Sequence, residues 1–117
     1  MIFQYLNRAT FLFGLIVVVS MSLRQNGSGA LLSFGDIAIH VAGYAALALT
    51  GVFGWPRSVP MMIVALAILG LALELIQIMV PTRGFEWSDA LANAAGALVG
   101  GLLAKAVARY LPVGWKT

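Results

Sequence analysis

Four long stretches of the chain are almost wholly apolar, and most polar residues fall in the connections between them. The stretches cover about residues 6–23, 36–54, 60–80 and 88–111. In lipid, backbone polar groups must pair within the chain, so apolar runs of about 20 residues predict membrane-spanning helices. The connections are rich in Gly, Pro and Ser, which is typical of loops. We therefore predict an all-α fold: an integral membrane bundle of four transmembrane helices, forming a single domain over residues 1–117.

The composition agrees with this pattern and excludes several classes of protein. Hydrophobic residues make up 62% of the 117 residues and charged residues 9%, where soluble domains have about 45–50% and about 25%. The mean hydropathy is +0.98. A soluble domain of this size needs many more polar residues to cover its surface. The 7 Lys and Arg residues are too scattered to form a phosphate-binding stripe, so we expect no nucleic-acid partner.

The charged residues predict how the helices are oriented. Five of the 7 basic residues fall on one side of the predicted spans: Arg8, Arg57, Lys105, Arg109 and Lys116. The other side holds two basic and all 4 acidic residues: Arg24, Arg83, Asp36, Glu74, Glu86 and Asp89. Because Lys and Arg are enriched in cytoplasmic loops, both termini should be cytoplasmic and the protein should lie in the inner (cytoplasmic) membrane. Arg8 precedes the apolar core of the first stretch, as a basic residue does in a secretory signal peptide. No cleavage site of small residues follows the stretch, so we expect it to remain in the protein as a membrane helix.

Polar side chains recur at helical spacing near the outer ends of three predicted helices. They share one face within each helix: Asp36, His40 and Tyr44 in the second, Glu74 and Gln77 in the third, and Asp89 and Asn93 in the fourth. An ionisable group within a span costs roughly 2.5–3.5 kcal/mol on insertion scales, so such groups normally face a bundle interior or a watery cavity. We therefore predict a polar pocket that opens outward, in which Arg83 from the adjacent loop contacts an anionic group.

Several of these residues also have a structural interpretation. Asp36 and Asp89 begin helices, where a carboxylate meets the positive end of the helix dipole. Ser88 is a candidate N-cap, and Glu74 could simply pair with Arg83. Each residue alone favours such a role, whereas their clustering at one depth favours a functional site.

The chemistry of the predicted pocket is left open by the sequence. A histidine beside carboxylates could act as a general base or a proton carrier, but no complete set of nucleophile, base and orienting residue can be identified. Whether the protein is an enzyme is therefore undecided. A metal held by His40 with Asp36 and Glu74 is a minor alternative. Because cysteine is absent and His40 is the only histidine, we expect no metal site and no cofactor.

Small residues at four-residue steps predict close packing of two helices. One stripe lies in the fourth helix and one in the second: Ala92, Gly96, Gly100, Ala104 and Ala108, and Ala38, Ala42, Ala46, Thr50 and Gly54. Such stripes let helix backbones approach closely in lipid. We expect both stripes, with Gly96 and Gly100 in the first, to pack within the bundle rather than to form a dimer interface.

The spacing of the polar residues is similar to that of a known family. The motifs read Asp36-x3-His40-x3-Tyr44-x2-Leu47, then Glu74-x2-Gln77-x3-Pro81-x-Arg83-x-Phe85, then Asp89-x3-Asn93-x2-Gly96-x3-Gly100. In this order they resemble the motifs of VanZ-like membrane proteins, over residues 36–101. The chain departs from the family's pattern at Ile37, where a lysine is common.

The resemblance implies a small polytopic membrane protein of the cell envelope, in a family named after low-level resistance to the glycopeptide teicoplanin. Two hypotheses of function follow. In the first, the outer pocket binds a cell-envelope ligand such as a lipid head group or a lipid-linked precursor. An extended version of this hypothesis is that the pocket also modifies the ligand. In the second, the protein is a small accessory or assembly subunit of a larger membrane complex. The expected partners are membrane lipids, together with such a complex or a second copy of the chain.

Overall fold

The computed structural model describes residues 2–23, 33–56, 58–81, 84–112 and 114–115, with only the backbone of residues 33–36. Its helices are α1 (Ile2–Ser22), α2 (Ser33–Gly54), α3 (Val59–Gln77) and α4 (Trp87–Ala108), and the described ranges contain no strand. All four helices are long and apolar enough to cross a membrane, since about 20 residues span a hydrocarbon core of about 30 Å. The prediction of an all-α bundle of four membrane-spanning helices is confirmed.

Four helix ends lie a few residues from their predicted positions, and three of them belong to α1, α2 and α4. α1 begins at Ile2 rather than near residue 6, because an early polar side chain has a partner in the bundle: Gln4 Nε2 donates to the Trp115 carbonyl at 2.7 Å. α2 begins at Ser33, inside the predicted connection. α4 ends at Ala108, because the next three amides bond to the carbonyls three positions earlier, in a tight turn that precedes a proline.

Both ends of α3 are fixed by local chemistry. Ser58 is the N-cap, and its hydroxyl accepts a hydrogen bond from the Met61 amide at 3.3 Å. Pro60 lies in the first turn, where a missing N–H leaves no partner unsatisfied. The helix ends at Gln77, earlier than predicted, and residues 78–80 turn more tightly before Pro81, which cannot continue a helix.

α2 and α4 form the centre of the bundle, and their contact is the most extensive between any two helices. α1 packs on α2, and α3 packs mainly on α4. Tyr44, Leu47 and Ala97 belong to the buried core at the centre of the bundle. The molecule is 48 Å long and 21 Å wide in both other directions, so each helix runs along most of its length.

Two glycines of α4 permit this close contact. A side chain built on Gly96 would meet the carbonyl oxygen of Val41, and one on Gly100 would meet that of Ala45. The backbones of α4 and α2 therefore touch at two successive turns. Such contact between helices is what small residues allow in lipid, where little hydrophobic force drives helices together.

The small-residue stripe of α2 differs from the expectation. Three of its residues are exposed on the surface of the bundle: Ala38, Ala42 and Ala46. α2 meets α4 through Val41 and Ala45 instead. The reason is that a different face of α2 carries the large buried side chains of the core, Tyr44 and Leu47.

The two ends of the bundle differ in chemistry. The His40 end consists of the end of α1, the start of α2, the end of α3 and the start of α4, with the polar residues His40, Glu74, Gln77, Asp89 and Asn93. The Trp115 end consists of the four opposite helix ends, with Gln4, Arg8, Trp55, Lys105, Arg109 and Trp115. At this second end Arg8 Nε donates to the Gly54 carbonyl at 2.8 Å. The first and last described parts of the chain therefore meet at one end of the molecule.

Candidate functional site

Three helices place polar side chains at the His40 end. His40 lies near the start of α2, Glu74 and Gln77 lie in the last turn of α3, and Asp89 and Asn93 lie in the first two turns of α4. The residues from α3 and α4 are at most 5% exposed. The His40 side chain is 14% exposed. His40 is thus the member of this cluster that is most accessible from outside the protein.

His40 is held between two side chains of α4. Its Nδ1 lies 2.7 Å from Asn93 Oδ1, and since an amide oxygen can only accept, Nδ1 carries the hydrogen and donates it. Its Nε2 faces Asp89 Oδ2 at 3.7 Å, a separation that suits an ion pair rather than a hydrogen bond. Nε2 of the neutral ring can therefore accept a proton, and the imidazolium formed would be paired with the Asp89 carboxylate. His40 thus faces a side chain of α4 with each of its two ring nitrogens.

Gly70 of α3 leaves the space that Asn93 occupies. A side chain built on Gly70 would lie 2.7 Å from Asn93 Cβ and 2.9 Å from Asn93 Nδ2. The glycine therefore lets α3 approach α4 one turn below Glu74. Sequence reasoning missed this role, because the four-residue spacing from Gly70 to Glu74 shows a shared face but not which helix packs on it.

Glu74 connects the end of α3 to the start of α4. Its Oε2 accepts a hydrogen bond from the Glu86 amide at 3.0 Å, and Glu86 is the N-cap residue of α4. Amides at a helix start lack partners within the helix, so this carboxylate satisfies one of them. The expectation that Ser88 is the N-cap is wrong, because α4 begins before it and Ser88 is exposed in the first turn. Asp89 shares that first turn, near the positive end of the helix dipole.

Gln77 joins α3 to α1. Its Nε2 donates to the Ser22 carbonyl at 2.6 Å, and both groups are buried. The last carbonyls of a helix lack N–H donors within it, so the Gln77 side chain satisfies one at the end of α1. Sequence reasoning missed Ser22, because nothing in the spacing indicates which backbone carbonyl a buried glutamine reaches.

Tyr44 lies one turn deeper than His40 on α2 and is 2% exposed. Its hydroxyl has no hydrogen-bond partner among the residues that the structure describes, although Glu74 is close enough to act on the phenol electrostatically. Buried polar atoms nearly always have a partner. The Tyr44 hydroxyl is therefore free, within that part of the chain, to bond to a ligand or a water molecule.

Two predicted site residues cannot be placed in this arrangement. Arg83 and the side chain of Asp36 lie outside the described residues. The predicted contact of Arg83 with an anion, its alternative pairing with Glu74, and the alternative metal site with Asp36 therefore stay predictions. Among the described residues, no group of three or more His, Asp or Glu side chains is arranged to hold a metal ion.

Comparison with known proteins identifies the family. A family model described as VanZ/LLP1 matches residues 1–109, which includes α1 as well as the stretch 36–101 that carries the sequence resemblance. No curated protein and no solved structure matches the chain significantly. The family match covers nearly the whole chain, including all four membrane-spanning helices and every candidate site residue. The protein therefore belongs to the VanZ/LLP1 family.

Proposed function

We propose that the His40 end binds the polar part of a cell-envelope ligand, such as a lipid head group or a lipid-linked precursor, and that His40 exchanges a proton with it. The protein is a multi-pass membrane protein of the VanZ/LLP1 family. The proposal adds that it lies in the inner (cytoplasmic) membrane with the His40 end facing outward. The distribution of Lys and Arg along the chain supports this orientation.

The observation that carries the proposal is the buried Tyr44 hydroxyl. It has no partner within the described residues, and it lies one turn below His40, the accessible member of the cluster. A purely structural network would satisfy its buried groups internally, because an unsatisfied one costs about 1–3 kcal/mol. The unused hydroxyl beneath an ionisable cluster therefore supports binding of a polar group at this depth.

The side chains of the cluster favour a ligand that donates hydrogen bonds. Asp89 can only accept when ionised, and Nε2 of neutral His40 also accepts. An amine or the hydroxyls of a sugar would meet these acceptors, whereas a quaternary ammonium has no N–H to donate. Among head groups, the proposal therefore favours phosphatidylethanolamine over phosphatidylcholine, and a glycosylated precursor over its bare lipid.

The experiment measures retention of these probes by native mass spectrometry. The delipidated protein is offered phosphatidylethanolamine and phosphatidylcholine with identical acyl chains, and in a parallel sample a polyprenyl-linked disaccharide. We expect preferential retention of a probe that donates hydrogen bonds. Tyr44→Phe, which removes only the hydroxyl, should weaken that retention by up to about tenfold, the value of one hydrogen bond.

Tyr110→Phe is the matched control, because it removes a hydroxyl from a side chain that is 88% exposed at the Trp115 end. It should retain the same probes as the unmodified protein. His40→Gln should weaken retention further. If Tyr44→Phe and His40→Gln both fold and retain every probe as the unmodified protein does, the cluster is structural and the proposal fails.

A second proposal is that the protein is an accessory subunit of a larger membrane complex. The observation that favours it is the exposed row of small residues on α2: Ala38, Ala42 and Ala46. Such a row would let another helix approach closely in lipid. Gentle detergent extraction followed by a native gel and mass spectrometry would then show stoichiometric co-migration with a larger assembly.

A pair of alanine variants separates this proposal from nonspecific association. Ala42→Leu should abolish the co-migration, because the larger side chain blocks close approach. Ala95→Leu changes an exposed alanine of α4 in the same way and should not affect it. A lone monomer in the unmodified sample would contradict the subunit proposal.

A further inference from the structure

A cleft opens at the Trp115 end, at the opposite end of the bundle from the proposed ligand site. Its volume is about 370 Å³, and its walls come from α2, α3, α4 and the segment that follows α4. Lys105 in the last turn of α4 and Arg109, the C-cap residue one turn further on, line one side. Val52, Val59 and Trp115 contribute apolar surface to the other walls. The cleft therefore combines two cations with a mostly apolar lining.

Among the residues that the structure describes, no acidic side chain lies within reach of either cation of the cleft. The chain contains 4 acidic residues, and all of them belong to the His40 end: Asp36, Glu74, Glu86 and Asp89. The molecule is 48 Å long, so these carboxylates are too distant to pair with Lys105 or Arg109. The helix dipole and the cytoplasmic preference of Lys and Arg account for basic residues at this helix end. They do not account for two cations placed together on the wall of a cleft.

The wall formed by Trp115 is held in position by other residues. The Trp115 carbonyl accepts the hydrogen bond from Gln4. Its ring contacts Phe3 and Phe53 edge-on, with centroid distances of 5.9 and 5.5 Å. Contacts within the protein thus fix this wall of the cleft, and a fixed wall lowers the entropy cost of binding a ligand.

We propose that this cleft binds the head group of an anionic phospholipid. Lys105 and Arg109 would contact the phosphate, and Val52 and Trp115 would pack against the glycerol and the first carbons of an acyl chain. The cleft lies where membrane-spanning helices end, which is the depth of lipid phosphates. Its wall includes Val59, the first residue of α3, so the positive end of that helix dipole also faces this region. Basic pockets between transmembrane helices are a recurrent form of anionic-lipid site.

The experiment uses the fluorescence of Trp115, which lines the cleft. Trp55→Phe and Trp87→Phe leave it as the single tryptophan, and phenylalanine at 55 can keep an aromatic contact with Phe11. The protein is reconstituted in phosphatidylcholine bilayers that contain increasing fractions of dibrominated phosphatidylglycerol or dibrominated phosphatidylcholine. Bromine quenches at short range, so the quenching curve gives the relative occupancy of sites beside Trp115. We expect phosphatidylglycerol to be preferred by roughly tenfold, from two cations near a phosphate.

Charge variants show whether the two cations cause this preference. Lys105→Gln with Arg109→Gln should reduce the ratio to about one, whereas the charge-preserving exchange Lys105→Arg with Arg109→Lys should keep it. Arg109→Gln alone changes an exposed helix end and should give an intermediate preference for phosphatidylglycerol. This single variant replaces the double variant as the test if the double variant does not reconstitute. Added inorganic phosphate should not displace the brominated lipid.

Three results would overturn the proposal. One is equal quenching by the two lipids in the unmodified protein, which requires no variant. The second is an unchanged preference when the cations are neutralised. The third is loss of quenching on addition of inorganic phosphate, which would identify a site for a free anion rather than for a lipid.

Discussion

The carbonyl oxygen of Val41 lies so close to Gly96 that any side chain at this glycine would overlap it. One turn further along, Ala45 and Gly100 repeat the contact. Cα–H groups at such helix interfaces donate weak hydrogen bonds to facing carbonyls. Because α2 and α4 touch through their backbones, the depth at which His40 meets the side chains of α4 is fixed.

Gly96→Ala should therefore destabilise the protein. In a helix with free space, alanine is more favourable than glycine by up to about 1 kcal/mol. Here the added methyl group must push α2 and α4 apart, and overpacking costs about 1–3 kcal/mol. The melting temperature in a mild detergent should fall, and Gly100→Ala should behave in the same way.

Gly43→Ala is the matched control for this prediction. A methyl group there would lie 3.9 Å from Val18 Cγ2, an ordinary contact distance. The variant should be as stable as the unmodified protein or more so. If Gly96→Ala also raises the melting temperature, the two backbones are not in contact and the arrangement of the central helices is wrong.

The His40–Asn93 hydrogen bond should appear as a coupling in a double-mutant cycle. His40→Ala and Asn93→Ala each remove one partner of the 2.7 Å contact, and each leaves the other partner unsatisfied. The double variant should then be more stable than the sum of the single losses predicts, by about 1 kcal/mol. Unfolding in detergent measures the three free energies. Strictly additive losses would show that the two side chains do not interact.

The helices and their lipid-compatible lengths were predictable from the sequence, because long apolar runs admit few other structures in a membrane. The helix ends were less so. Gln4 is polar and argues against an early start of α1, yet its amide is satisfied by the Trp115 carbonyl from the far end of the chain. No local pattern contains that information.

The polar cluster was also predictable only in part. Four-residue spacing placed His40 with Tyr44 and Asp89 with Asn93, since a helix repeats its faces at that interval. The pairing of His40 with Asn93 depends on how α2 and α4 are rotated against each other. That rotation follows from which backbone atoms Gly96 allows to approach, and spacing along one helix does not determine it.

Gln77→Met should loosen one end of α1 and leave the other unchanged. Of the four helices, α1 has the fewest buried residues, 6% of its most apolar 18-residue stretch. Single polar contacts therefore matter to its position. Methionine keeps the length of the side chain and removes the donor to the Ser22 carbonyl. Hydrogen exchange followed by mass spectrometry should show the last turn of α1 exchanging faster, by up to about tenfold.

Gln4→Met supplies the comparison at the opposite end of the same helix. It removes the bond to the Trp115 carbonyl, so it should speed exchange near the start of α1 and leave the last turn as it was. Equal acceleration along the whole helix in both variants would mean that α1 moves as one rigid unit. The two side chains would then not act as separate attachments.

The last prediction concerns the direction in which the bundle crosses the membrane. The chain has no cysteine, so a single introduced thiol reports on one position alone. Gly84→Cys lies in an exposed connection before α4, where the added carbon would have no atom of the described residues within 4 Å apart from its chain neighbours. Tyr110→Cys replaces a side chain that is 88% exposed at the Trp115 end. If the excess of Lys and Arg marks the cytoplasmic side, a membrane-impermeant maleimide should label Gly84→Cys in intact cells and Tyr110→Cys only after the cells are broken. The reverse pattern would place Lys105 and Arg109 outside the cell and exclude an outward-facing His40 end, because both thiols belong to one rigid bundle whose ends cannot exchange sides.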